Sequence, residues 1–252
     1  MRRQEIEKLR LRARVMTDDL GELFGTDDRR DISVTARVAL RRMVGRSPED
    51  PAARAAHSYL ARYIREDDSA AVERAFYAVA AMIAAQPREA REARKQPRAD
   101  QEVSAADVPQ RPVKEAGAVA PGGLVGGSAS EKGAPKSGTS LGIALGTATA
   151  AGVLGFEPIE SRLLLLCRQG IAGIHRQMPR LITRLPTDLV PVDWAELTVD
   201  LARWGGDRDY VAKRWLQDFY RTHNKIVAVE AKRKIAADGA RGDTTNDEGE
   251  ER

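Results

Sequence analysis

Apolar residues recur at three- and four-residue steps through both ends of this chain, the period of a helix with one buried face, and the pattern lapses only in the middle. Ile6, Leu9, Ala13, Met16, Leu20 and Phe24 predict a helix over 5–24 with a break near Gly21. Val34, Ala36, Leu40, Met43 and Val44 outline a second helix ending before Ser47-Pro48, because the residue before a proline is driven out of helical geometry. Pro51 can open a third, running to Tyr63 and Ile64. Val72, Phe76, Val79, Ala80 and Ile83 form a regular stripe that stops at Gln86-Pro87. Residues 1–86 therefore read as an N-terminal helical bundle.

From 87 to 139 the composition changes. Pro87, Pro97, Pro109, Pro112, Pro121 and Pro135 stand among glycines, serines, alanines and charges, with almost no large apolar side chain. Such a stretch cannot bury enough surface to offset its chain entropy, so it is expected to be a flexible, disordered insertion with at most a short helix at 88–95.

The helical period returns at Leu141. Glu157-Pro158 marks a helix start, and the run Ile159, Leu163, Leu164, Leu165, Leu166 is apolar enough to predict a central helix. Ile171, Ile174, Met178, Leu181, Ile182 and Leu185 continue a stripe in which Pro179 predicts a kink or a break. Asp193 stands at an N-cap position, Glu196 completes a capping box, and Trp194, Leu197, Leu201 and Trp204 share one face. Gly205-Gly206 then ends that helix, Asp207 can cap the next, and Val211, Trp215 and Phe219 repeat every four residues, so the spacing predicts a helical hairpin. Residues 140–236 read as a C-terminal bundle with an extended, charged last helix, and 237–252 as a disordered acidic tail. The expected fold is all-α, two small helical bundles joined by a long flexible linker.

Composition narrows the function more by exclusion than by indication. Charged residues make up 31% of the 252, the formal net charge is +4 and the pI about 9.3, a mildly basic balance that permits a polyanionic partner. Cys167 is the one cysteine and sits among leucines, so it is expected to pack as a small hydrophobe in a reducing, cytoplasmic setting. The charged start MRRQEIEKLRLRAR has no apolar signal core, and Leu141 to Leu154 is too short to span a bilayer, so no membrane is expected among the partners. His57, His175 and His223 are scattered and no zinc-ligand spacing occurs; Gly122-Gly123 and Gly126-Gly127 lack the lysine of a phosphate loop. Glu157 with Glu160 and Asp207 with Asp209 lie at helix starts, where carboxylates favour the dipole. The chain is therefore expected to be no enzyme, with no cofactor and no metal.

What stands out is positive charge. Arg176, Arg180 and Arg184 are spaced four apart and stack on one helix face, opposite Ile174, Met178 and Ile182. Between Arg162 and Arg184 there are five arginines, Arg168 among them, and no acid. An uncompensated row of guanidinium groups suits a phosphate backbone, which each can grip through two hydrogen bonds. A second set is Arg37 with Arg41, and Arg42 with Arg46; a third, Lys213, Arg214 and Arg221, flanks Trp215. The tryptophans lie on apolar faces and read as core, not as base-stacking platforms.

The order Pro191-Val192-Asp193-Trp194, Leu197, Asp200-Leu201, Trp204, Lys213-Arg214-Trp215 and Asp218-Phe219-Tyr220 closely resembles the C-terminal signature of the CasB family, the small subunit of the type I-E CRISPR Cascade complex. The likeness extends to Ser140-Leu141-Gly142, Leu163 to Leu166, Ala39-Leu40-Arg41-Arg42 and Ala75-Phe76-Tyr77. It implies a non-catalytic component of an RNA-guided DNA-surveillance complex in antiviral defence. The partners it implies are the backbone and large Cascade subunits, a second copy of the chain, guide RNA, and target DNA including the displaced single strand. Arg41 and Arg42 match the family's paired arginines near its N-terminal nucleic-acid face. The chain departs from the family at Gly205-Gly206, in the insertion and in the tail. A helical scaffold or adaptor whose basic faces bind acidic protein partners is the alternative.

Overall fold

Residues 2–25, 30–87, 139–183, 185 and 192–242 are described in a computed structural model, and helices are the only regular elements among them. They are α1 (Arg3–Gly25), α2 (Arg30–Arg41), α3 (Arg54–Leu60), α4 (Ala70–Ala85), α5 (Leu141–Ala150), α6 (Phe156–Cys167), α7 (Ile171–Ile182) and α8 (Trp194–Gly242). The expected insertion between 88 and 138 and the last residues, 243–252, lie outside the described residues.

The helix starts follow from local chemistry. Side chains of Ser69, Ser140 and Asp193 accept hydrogen bonds from the N–H groups of Val72, Ile143 and Glu196, so α4, α5 and α8 each begin on a capping residue. Asp50 does the same for the short 3₁₀ turn Pro51–Ala53 that leads into α3. Gly152, in left-handed geometry at φ +70°, ends α5 by letting the N–H groups of Val153 and Leu154 return to the Ala148 carbonyl.

Helix α4 is the centre. Ala75 to Ala84 are buried on every side, and α4 touches α1, α2, α7 and α8. A helix apolar all round belongs in a core, and alanines at 75, 78, 80, 81 and 84 let its neighbours approach closely. The leucine run, expected to be central, is not: Leu163 and Leu166 are buried with Ile159, while Leu164 and Leu165 face outward. Helix α6 thus lies at the periphery with one apolar face inward.

Two expected breaks do not occur. Helix α1 continues through Gly21, held by Leu9, Ala13, Met16 and Leu20 against the core. Helix α7 continues through Pro179 to Ile182. Proline removes only its own N–H, Pro179 lies in the last turn, and burial of Leu181 and Ile182 holds that turn in place.

The hairpin does form, as a sharp bend within α8. Asp207 leaves helical geometry at φ −118°, ψ 28°, one residue past the two glycines. Trp215 nevertheless donates from Nε1 to Asp200 Oδ2 at 2.6 Å, and the Trp204 and Trp215 rings lie 5.0 Å apart. Fifteen residues of straight helix would separate Asp200 and Trp215 by roughly 22 Å, so the two arms fold back on each other. All three tryptophans are buried, which removes them as stacking platforms. The charged extension continues as helix to Gly242, past the expected boundary at 236. The N-terminal and C-terminal bundles share one hydrophobic core that runs from Leu9 and Met16 through Phe76 and Ile174 to Trp215 and Phe219.

Candidate nucleic-acid interface

Helix α7 buries Ile174, Met178 and Ile182 and exposes Arg176 and Arg180 on the opposite side. Neither arginine has an acidic partner among the described residues. Arg184 lies outside them. The turn that follows α2 packs directly on this helix: Gly45, at φ +75°, is so close that a β-carbon there would stand 3.9 Å from the Cα of Arg176. Exposed Arg41 and Arg42, at the end of α2, precede that contact by four and three residues, although more than a hundred residues separate them from Arg176 in sequence. Arg46, from the same turn, is held 3.1 Å from Asp50.

The other expected contacts divide. Arg168, Lys213 and Arg221 are exposed and free of acidic partners among the described residues. Arg168 caps the end of α6, whose neighbouring Cys167 lies against Ala212 of α8, so Arg168 and Lys213 flank the same packing contact. Arg37 is half-buried, and its Nε is shielded from solvent with no hydrogen-bond partner, so it is not a freely mobile surface cation.

Arg214 is reassigned. It donates from Nη1 to Glu196 Oε1 at 2.8 Å and from Nη2 to Asp200, both acids being buried. Its charge is met inside the hairpin by these two acids. Glu196 in turn accepts from Arg10 Nε of α1 at 2.9 Å. The expected capping box is thus half made: Asp193 caps Glu196, but the Glu196 carboxylate turns to two arginines. Burial pushes the Asp200 carboxyl up to about 6 against the pull of Arg214, which leaves it ionised at neutral pH.

Arg74 and His175 carry no signal of a role in the sequence, yet the fold sets them together. Both ring nitrogens of His175 and Nε of Arg74 are buried without partners, between α7 and α4 and beneath the basic face. Burial, helped by the Arg74 charge, pushes the His175 pKa down to about 4. The imidazole is therefore neutral in the fold at physiological pH. Between about pH 6.5 and 4 the unfolded chain takes a proton that the folded chain refuses, so this residue lowers stability as pH falls through that window. Asp200 opposes it: from about 6 down to 3.8 the folded carboxyl takes the proton first, so its contribution rises as pH falls. Comparison of the chain with a His175→Leu variant isolates the histidine. Denaturant melts at pH 7 and 5 are expected to show about 2 kcal/mol more acid destabilisation in the native sequence than in the variant.

No catalytic constellation assembles among the described residues, and they include no group of three or more histidines, cysteines and acids able to hold a metal. Glu160 accepts from the Tyr220 hydroxyl at 2.6 Å, Asp207 and Asp209 pair with Arg203 and Arg208, and burial pushes the Cys167 thiol up to about 11. No described helix is long and apolar enough to cross a membrane.

The sequence pattern of the family described as CRISPR-associated protein Cse2 matches residues 36–220. A solved structure titled CRISPR RNA-guided surveillance complex contains a chain 33% identical, with a TM-score of 0.64, covering 88% of this chain and 99% of its own. A second, titled CRISPR RNA-guided surveillance complex, pre-nicking, contains one 35% identical, with a TM-score of 0.62, covering 88% and 98%. No curated protein matches.

Proposed function

The chain belongs to the family of CRISPR-associated protein Cse2, the CasB family, and from that premise we propose that it is the non-catalytic small subunit of a type I-E CRISPR Cascade complex. In the cytoplasm it pairs with a second copy of itself, joins the backbone and large subunits, and contacts guide RNA and target DNA. Its task is to hold nucleic-acid backbone without reading sequence, and so to stabilise the R-loop and the displaced strand.

The observation that carries this reading is the face of α7 on which Arg176 and Arg180 stand exposed, without acidic partners among the described residues; exposed Arg41 and Arg42 lie a few residues from the Gly45 turn that packs on the same helix. Guide pairing reads the sequence in such a complex, so a small subunit needs only positive charge presented to phosphates. Exchange of a DNA duplex for an RNA–DNA hybrid is nearly balanced, so a few phosphate contacts tip it. Arg168, Lys213 and Arg221 extend the positive surface; Arg214 takes no part.

Arg176→Glu with Arg180→Glu in an assembled complex is expected to shorten the R-loop lifetime without preventing assembly. For the purified chain, binding to single-stranded DNA across a salt series is expected to become shallower in the corresponding double Ala variant, by about 0.7 in the log–log slope for each phosphate no longer gripped. An unchanged R-loop lifetime in the assembled mutant overturns the assignment of this face. Absence of nucleic-acid binding in any context turns the reading toward a helical adaptor for acidic proteins.

A further inference from the structure

An open cleft of about 520 Å³ lies where the bend of α8 meets the start of α7, bordered by Gly170, Ile171 and Tyr210. Tyr210 has no role in the core. It is 58% exposed, whereas Trp215 and Phe219 on the same arm of α8 are buried. Its ring is held from one side by Arg203, whose guanidinium carbon lies 4.7 Å from the ring centroid. Arg203 is itself well buried and fixed by Asp207 at 3.1 Å, so the platform is braced before any ligand arrives. Gly205 and Gly206 supply no side chains to fill the space, and nothing stands within 4 Å of where a β-carbon of Gly206 would be.

Charge decides what such a cleft can take. Asp207 is paired with Arg203 and Asp209 with Arg208, so the walls are close to neutral and offer nothing to hold a phosphate. A flat, uncharged heterocycle fits them better. Phosphate-binding groups lie to either side along the chain: exposed Arg168 precedes Gly170 by two residues, and exposed Arg176 follows Ile171 by five, about 7.5 Å along α7. The first turn of α7 has no side-chain cap, which leaves its N–H groups as donors toward polar edges of a ring.

We propose that Tyr210, braced by Arg203 at the bend of α8, is a stacking platform for one unpaired base of a single-stranded nucleic acid whose flanking phosphates engage Arg168 and Arg176. The inference rests on the nucleic-acid reading above and adds to it a contact that is aromatic, not ionic. Every base has a π-face, so the platform is indifferent to sequence, as a subunit guided by another component's pairing requires.

Stacking and phosphate contact separate experimentally because only the second releases counterions. Binding of the full chain to a single-stranded oligonucleotide carrying one fluorescent adenine analogue is to be measured across a salt series for the native sequence, Tyr210→Ala and Tyr210→Phe. The native sequence and the Phe variant are expected to quench the analogue. The Ala variant is expected to lose the quench and to bind on the order of 5- to 100-fold more weakly, with an unchanged salt slope and melting temperature. An Ala variant that binds and quenches like the native sequence overturns the platform while leaving the phosphate reading intact, and so does a Phe variant that fails with it. A native chain that binds no single strand overturns the platform, and the Arg176 and Arg180 variants in the assembled complex then decide the parent reading separately.

Discussion

Asp200→Ala is expected to destabilise the fold by about 3 to 5 kcal/mol in chemical denaturation, the range for removing one partner of a buried ion pair. Asp200 has no exposed surface and accepts from both Arg214 and Trp215 Nε1. Without it the Trp215 N–H has no acceptor in the core, and Arg214 keeps only Glu196, which is shared with Arg10. Arg214 Nε already lacks a partner, so the guanidinium would be left doubly short of hydrogen bonds. Asp200→Asn separates the two effects: it preserves an acceptor for Trp215 but removes the charge, and is expected to fall between Ala and the native residue. Joining Asp200→Leu with Arg214→Met is expected to recover much of the stability, because an ion pair replaced as a unit leaves no uncompensated charge. A double variant as unstable as the sum of the single ones would show that the hairpin depends on the pair itself.

That network also marks where sequence reasoning stops. The start of α8 at Asp193 is legible because a cap acts over three residues, and the hairpin is legible because its tryptophans repeat on one face of each arm. Arg214 reads as a surface cation in sequence because its neighbours are Lys213 and Trp215; its partners lie 14 and 18 residues upstream and meet it only after the chain bends. A signal is present from the other side. Glu196 and Asp200 stand four apart on a mostly apolar arm, and two acids so placed must find cations if the arm is buried. The choice of central helix fails for a similar reason. Periodicity cannot rank α4 against α6, since both are apolar; what decides is that alanines let several helices close around α4, whereas consecutive leucines on α6 must point in different directions. Of the candidate interface, the row on α7 is visible as spacing. The seating of the turn after α2 on that helix is not, because the approach of Gly45 to Arg176 joins segments more than a hundred residues apart. The family likeness, by contrast, rests on residues that prove to be mostly core and hairpin, which is why it identifies the fold more directly than the binding face.

Gly142→Ala is expected to cost about 3 kcal/mol, at the upper end of the range for overpacking, and Gly142→Ala with Gly146→Ala to leave little folded protein at ambient temperature. Helix α5 crosses the second arm of α8 at backbone contact. A β-carbon at Gly142 would overlap the Trp215 carbonyl oxygen and lie 2.9 Å from its carbon, and one at Gly146 would stand 2.6 Å from the Phe219 oxygen. A flexible side chain could turn aside; a helical carbonyl cannot, so α5 would have to lift away. Lifting is opposed at its start by Ser140, which caps the helix and donates to Asp218 of α8 at 2.5 Å, and along its length by burial of Leu141, Ala144, Leu145 and Ala148. Gly21→Ala supplies the contrast within the same chain. Gly21 is interior to α1 with open space where its β-carbon would be, so the substitution is expected to stabilise by roughly 0.5 to 1 kcal/mol through helix propensity alone. Denaturation midpoints that move in opposite directions for the two glycines would establish that close approach, not backbone freedom, is what position 142 requires. A tolerated Gly142→Ala would mean that α5 is not seated on α8 at this distance.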